Sequence, residues 1–260
     1  MVPSRGTVCD VCGERLLSPV FAQQSAVPEG APARCGVCVR YRQPYRRAVA
    51  YGSYEGELRE LLHLLKYSRV MTAAPVLGTL LAHAMRKLDH ELRAVGEPVL
   101  VITVPLDRER GRTRGFNQSD VVLRAAMREL ARDAHPLPLQ FADGVLQRVR
   151  RTVSQTGLTR HQRRENLRGA FSVNAMLPIK DRSVVLVDDV FTTGTTIAEC
   201  ARTLKRAGAE EVYAATVARV YKFSAEELDR WNFHGQLTSN GGARAAEQAN
   251  RAVTSEHPKG

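Results

Sequence analysis

From Arg46 to Arg219 the apolar residues recur with two alternating periods, and the alternation predicts an architecture. Leu58, Leu61, Leu62 and Leu65 fall at i, i+3, i+4 and i+7, the stripe of an amphipathic helix ending near Tyr67. Leu77, Leu80, Leu81, Ala84 and Leu88 carry the same period into a second helix, and Ser119 to Arg132 reads as another. Val99 to Val104 is a buried strand stopped by Pro105. Ser183 to Val187 is a continuous apolar run with β-branched residues, bounded by charge, which suits a central parallel strand. Ile197, Cys200, Ala201 and Leu204 then form a helical stripe, Gly208 stands where a C-terminal cap belongs, and Val212 to Ala218 is the next strand. Strand, helix, strand in that order is a βαβ unit with a right-handed crossover. The expected fold is α/β with an open, mostly parallel sheet.

That alternation is confined to residues 44–223. Residues 1–43 lack a sustained period and are rich in Pro, Gly and Ala, notably Val27 to Ala33, so they cannot build an apolar core of their own. Residues 224–260 are polar. Ser224 to Leu237 is expected to form a short helix docking through Trp231 and Phe233, and Thr238 to Gly260 to be disordered.

Composition changes this picture little. Hydrophobic residues make up 43% and charged residues 25%, ordinary for a soluble globular chain. Met1 to Cys12 holds no apolar segment of the kind a secretory signal needs, and the most apolar stretch, Val99 to Leu106, is too short to cross a bilayer. A cytoplasmic location without membrane insertion is expected. Charge adds more, because 38 Lys and Arg against 27 Asp and Glu leave a formal net charge of +11. Arginine dominates it, in runs at Arg108 to Arg114, Arg148 to Arg151 and Arg160 to Arg168. Such a surface attracts an extended polyanion and a small pyrophosphate alike.

Four of the five cysteines form two pairs, Cys9-x-x-Cys12 and Cys35-x-x-Cys38. Two such pairs complete a tetrahedral four-thiolate shell, and Gly13 and Gly36 directly after cysteines allow the tight turns it requires. A structural zinc ion would hold a segment that has no core. Cys200 lies in a helical apolar stripe and reads as a core residue. The seven histidines are scattered without ligand spacing.

The richest chemistry follows the Ser183 strand, in Asp188-Asp189-Val190-Phe191-Thr192-Thr193-Gly194-Thr195-Thr196. The carboxyl end of a buried strand is where open α/β sheets bind ligands. Thr196 and Glu199 have capping-box spacing, so a helix is expected to begin just after this loop and to offer unpaired N–H groups to an anion. Thr192, Thr193, Thr195 and Thr196 add hydroxyl donors, and Gly194 lets the backbone close on a phosphate. No Lys follows the glycine, which excludes the GxxxxGK[ST] nucleotide loop. Asp188 and Asp189 would repel that phosphate unless they face sugar hydroxyls or a ligand-borne Mg²⁺. Phosphate, diol and metal-bound pyrophosphate on one ligand would satisfy all of these groups.

This stretch resembles the signature of type I phosphoribosyltransferases, and Cys9 to Arg219 resembles the ComF/GntX family. The match is carried by the cysteine pairs, Gly56 to Tyr67 with Leu-Leu-Lys-Tyr at its end, Val104-Pro105-Leu106, and Arg112-Thr113-Arg114-Gly115-Phe116-Asn117-Gln118. It continues through Arg151-Thr152, Gln155, Leu158, Arg164, Asn166 and Ala170-Phe171 to the Asp188 loop. The resemblance implies that Asp188 and Asp189 hold the ribose hydroxyls of 5-phosphoribosyl-1-pyrophosphate. It places Thr192 to Thr196, with Val190 and Gly194, around the 5′-phosphate, and Arg112 and Arg114 on the pyrophosphate loop. It makes Arg151 to Phe171 a lid. Lys66, at a helix end, reads equally well as a surface residue paired with the helix dipole.

Two functions remain open at this point. One is Mg²⁺-dependent transfer of a phosphoribosyl group to an unidentified acceptor, since no segment announces a nucleobase site. The other is an accessory protein of DNA uptake, as the resemblance suggests, binding single-stranded DNA or a DNA-uptake ATPase and retaining the ribosyl loop as a sensor or relic. An aromatic content of 6% is thin for a base-stacking platform.

Overall fold

The computed structural model describes residues 8–16, 32–68, 70–107, 115–153, 157–174, 176–177 and 179–222. In chain order these contain α1 (Gly36–Arg40), β1 (Arg47–Ser53), α2 (Gly56–Tyr67), α3 (Ala73–Arg86) and α4 (Asp89–Arg93). There follow β2 (Val99–Thr103), α5 (Gln118–Leu130), β3 (Leu139–Phe141), β4 (Leu146–Arg148) and α6 (Arg160–Leu167). The last are β5 (Phe171–Val173), β6 (Val184–Phe191), α7 (Thr195–Arg206) and β7 (Val212–Arg219). The expected tail helix and the Trp231 and Phe233 contacts fall outside the described residues.

The main sheet runs β1-β7-β6-β2-β3, and every pairing in it is parallel. Its central strands β2 and β6 carry continuous apolar runs, Val99 to Ile102 and Val184 to Val187, because both faces are covered. Val49, Val101, Val185, Val187, Ala215 and Val217 pack toward α2, α3, α4 and α5. Their alternating neighbours Ala48, Ile102, Leu186 and Ala214 face α7 and the cysteine segment. Helices α3 and α5 approach closely at Gly78, where a Cβ would stand 2.4 Å from Ala125 Cβ.

Most element boundaries fall within two residues of the expected ones, and three of the differences have a local reason. The Ser119 helix begins at Gln118 because Asn117 caps it, its Oδ1 accepting from Ser119 N–H at 3.2 Å. The second helix ends at Arg86, and Leu88 is buried in the turn beyond it. The Ser183 strand continues four residues further, to Phe191, because β7 keeps pairing with it through Asp188–Thr216 and Val190–Ala218. Gly208 does end α7: at φ 95° it donates to Lys205 O while Ala209 donates to Leu204 O, a Schellman cap.

Candidate functional site

The acidic pair thus stands on the strand and not in the loop. Successive strand residues point to opposite faces. Asp189 is buried on the face toward α2 and α5. Its Oδ2 lies 2.8 Å from Lys66 Nζ and accepts from Gln118 Nε2 at 2.8 Å. Lys66 is therefore no surface partner of the helix dipole: its side chain is 13% exposed and neutralises Asp189 from inside. Its ammonium stays charged, with the pKa raised despite burial by the Asp189 carboxylate. Asp188 is half-buried, and its Oδ1 accepts from its neighbour's N–H at 2.9 Å and from Ser119 Oγ at 3.4 Å. Burial and the adjacent Asp189 charge push its carboxyl up to about 7.

Past Phe191 the chain turns at Gly194, whose φ of 73° is left-handed and whose Cβ position would lie 2.4 Å from Phe191 Cζ. Only glycine fits both constraints. Helix α7 starts at Thr195 with Gly194 as N-cap, and no side chain caps it. The capping box expected of Thr196 and Glu199 does not form. Glu199 is buried and turned to α6, where it accepts from Gly169 N–H at 3.1 Å and pairs with Arg202. The uncapped first turn keeps its N–H groups directed at whatever sits over the loop. Thr193 Oγ1 and Thr195 Oγ1 lie 2.8 Å apart, Thr192 is exposed and Thr196 half-buried, so hydroxyls line the same mouth.

Arg112 and Arg114 lie outside the described residues. The segment that leads to them ends at Asp107, which pairs with Arg148 at 3.4 Å. Arg148 belongs to the antiparallel pair β4–β5, the base of an arm carrying α6. Within the arm Arg150 donates to Asn166 O and Arg168 O, both at 2.8 Å, and Asn166 bonds Val153 through both amide atoms. A capping box between Thr159 and Gln162 starts α6.

The four paired cysteines converge: their sulfurs all lie within 4.8 Å of one another, Cys12 and Cys35 at 3.6 Å. Bonds of about 2.3 Å from a central ion would set sulfurs ~3.8 Å apart, so the donor set fits one tetrahedral metal ion. Hydrogen bonds among the thiols already favour thiolates at Cys9 and Cys35, the latter lowered to about 6, and hold protons on Cys12 and Cys38. Cys200 is wholly buried in the α7 core, apart from this cluster.

The phosphoribosyl transferase domain family matches residues 121–234. The DNA utilization protein YhgH of Salmonella typhi is 34% identical over 82% of this chain and 90% of its own length. The Shigella flexneri protein of the same name is 36% identical over 82% and 84%. Competence protein F of Haemophilus influenzae is 30% identical over 83% and 92%. The chain belongs to the competence protein F (ComF/GntX) family. Among the described residues no helix is long and apolar enough to cross a membrane.

Lys66 and Gln118, the two residues that hold Asp189, were not assigned to the site from the sequence. Lys66 falls four residues after Leu62, on the buried side of α2, and that register was the available signal. Gln118 gave none beyond its place in the quoted motif.

Proposed function

We propose that this chain binds 5-phosphoribosyl-1-pyrophosphate with Mg²⁺ at the carboxyl end of β6 and transfers its phosphoribosyl group to an acceptor. The observation that supports this most is the α7 terminus, which no side chain caps, following the half-buried Asp188 and buried Asp189 at the end of β6. The first-turn N–H groups of α7 and the threonine hydroxyls suit the 5′-phosphate. Asp188 and Asp189 suit the ribose diol, with Lys66 and Gln118 fixing Asp189. Two carboxylates are too few for an all-protein Mg²⁺ cage, but they suit a cation already bound to a diphosphate, which would supply charge neutralisation on the leaving group. In the reaction the bond from the anomeric carbon to pyrophosphate breaks and pyrophosphate departs with the electron pair. The acceptor atom bonds to the same carbon and loses its proton. Arg112 and Arg114 are assigned to the departing pyrophosphate and the Arg151 to Phe171 arm to exclusion of water. Zinc is the ion assigned to the four cysteines. Calorimetric titration with phosphoribosyl pyrophosphate and Mg²⁺ tests binding, and phosphorus NMR of released pyrophosphate with candidate acceptors tests turnover. No heat and no pyrophosphate would contradict the reading.

A second reading, a single-stranded DNA contact in DNA uptake, is favoured by a separate feature. A groove of about 880 Å³ at the amino ends of β1 and β7 is lined by Arg34, Arg42, Arg46, Arg202 and Lys205, with Glu211 as its acid. It lies at the sheet edge opposite the Asp188 loop, so both ligands have room on one chain. The names of the relatives, DNA utilization protein and competence protein F, accord with it.

A further inference from the structure

The cysteine cluster and the phosphate loop are joined by one buried cation. Arg219, the last residue of β7, is 4% exposed. Its Nη1 donates to Cys12 O at 2.6 Å, and its Nη2 lies 2.9 Å from Glu14 Oε2 and 3.8 Å from Cys12 Sγ. The knuckle of the first cysteine pair thus closes around a guanidinium that belongs to the central sheet. The other side of that guanidinium stacks on Phe191, 4.3 Å from the ring centroid. Phe191 is paired in register with Arg219, accepts from Val220 N–H at 2.9 Å, and is the ring that fills the space where a Gly194 side chain would be. The path from a sulfur donor to the phosphate turn therefore runs Cys12, Arg219, Phe191, Gly194, with each step a direct contact.

We propose that Arg219 is a positioning residue that couples the two sites, so that metal in the cysteine cluster tightens binding at the phosphate loop and bound ligand slows loss of the metal. The inference rests on the reading of the loop as a ribosyl-phosphate site. The physical reason is that a metal ion fixes the Cys9 to Cys12 knuckle, and with it the Cys12 carbonyl and Glu14 that hold the guanidinium. A group hydrogen-bonded to a metal ligand is ordinarily set by the metal's presence, and the reverse holds. With the knuckle released, Arg219 loses its carbonyl and carboxylate partners. The buried cation must then find others, and the ring that supports the Gly194 turn moves with it. The coupling is reciprocal: whatever factor the metal gives to ligand affinity, the ligand gives to metal affinity, within the about 5- to 150-fold range usual for linked sites.

The test uses the zinc-loaded full chain. Zinc release to an excess of a colorimetric chelator is timed with and without saturating phosphoribosyl pyrophosphate and Mg²⁺. Ribose 5-phosphate, which lacks the chelating diphosphate, serves as a second probe. Release is expected to slow about fivefold or more with either ligand, and the factor by which ligand affinity falls after zinc removal is expected to match the factor by which ligand raises zinc affinity in equilibrium competition with the chelator. In Arg219→Met both zinc and ligand still bind, but the two release rates converge. Glu14→Gln, which keeps the guanidinium on Phe191 and weakens one tie, is expected to give an intermediate factor and serves if Arg219→Met does not fold. Ligand binding with no change in zinc release overturns the coupling and leaves the ligand reading standing. A coupling factor unchanged in Glu14→Gln and Arg219→Met overturns the role of Arg219. Absence of ligand binding by zinc-loaded protein overturns the ligand reading and the coupling together.

Discussion

Lys66 Nζ and Asp189 Oδ2 stand 2.8 Å apart across the joint between α2 and β6, with side chains 13% and 9% exposed. A pair so enclosed fixes the carboxylate from behind and leaves its charge compensated before any ligand arrives. Removing one partner leaves the other buried and uncompensated, at a cost of about 3–5 kcal/mol. Lys66→Met is therefore expected to lower stability by about that amount. Lys66→Met with Asp189→Asn is expected to recover much of it. Chemical denaturation of the two single variants and the double variant gives the coupling energy directly. Additive losses would show that the pair does not interact.

Gly194→Ala meets both a positive φ and the Phe191 ring. The left-handed conformation alone costs about 1–2 kcal/mol, and the 2.4 Å approach to Phe191 Cζ requires the ring or the turn to move. Phosphate-loop affinity is expected to fall more than global stability, because the displacement is centred on the α7 terminus. Phe191→Leu in the same chain is expected to relieve part of the loss. Ribose 5-phosphate titrations beside thermal melts check this.

These two positions also show what the sequence could convey. The α/β pattern, the parallel sheet and the Gly208 cap were legible because burial on both sides leaves continuous apolar runs, as in Val184 to Val187. The last four residues of β6 were not, since two adjacent acids read as the end of a strand although Val190 and Phe191 resume the burial pattern. Thr196 and Glu199 had the spacing of a cap, but spacing carries no information about a competing partner, here the Gly169 N–H from the α6 arm. Gln118 and Arg219 hydrogen-bond to residues 71 and 207 positions away, distances at which local pattern is silent.

Asp188 offers a test by pH. Its carboxyl is raised from 3.8 to about 7 by burial and the Asp189 charge. Between those values the folded chain holds a proton that the unfolded chain has lost, so stability falls as pH rises through this window. Asp188→Asn carries no such charge. Between about pH 5 and about pH 8 the stability difference is expected to move in favour of the variant by ~1–3 kcal/mol. Melting curves of both proteins across that range check it. Parallel curves would place the Asp188 titration elsewhere.

The cysteine cluster is expected to hold about one zinc per chain, measurable by elemental analysis. Because Cys9, Cys12 and Cys38 are buried in the same apolar cluster as Tyr45, Ala48 and Phe191, zinc removal should loosen that sheet face as well as the cysteine segment. Hydrogen exchange at Ala48 N–H, which donates to Val11 O at 2.8 Å, reports on that contact. Equal protection with and without metal would contradict a structural role.

DNA contact in the arginine groove is expected to be electrostatic. Affinity for single-stranded DNA should fall steeply with salt, and each phosphate contact removed by Arg34→Ser or Arg42→Ser should reduce the logarithmic slope by about 0.7. Binding of phosphoribosyl pyrophosphate should be unchanged in both variants. A slope that ignores these arginines would place any DNA contact on another surface.

The central claim is that the β6 diacid and the α7 terminus hold a ribosyl phosphate, and one comparison tests it most directly. Asp188→Asn/Asp189→Asn keeps shape and, above the raised Asp188 pKa of about 7, removes both charges. Calorimetric affinity for phosphoribosyl pyrophosphate with Mg²⁺ is measured beside affinity for inorganic phosphate and the melting temperature, on wild type and double variant. Each lost charge-assisted hydrogen bond to the diol costs about 1.5–3 kcal/mol, so phosphoribosyl pyrophosphate should bind more than about tenfold more weakly. Inorganic phosphate should bind as well as before or better, while the fold is kept at a stability lowered by the unpaired Lys66, by about 3–5 kcal/mol. Unchanged affinity for phosphoribosyl pyrophosphate in the double variant would contradict the account.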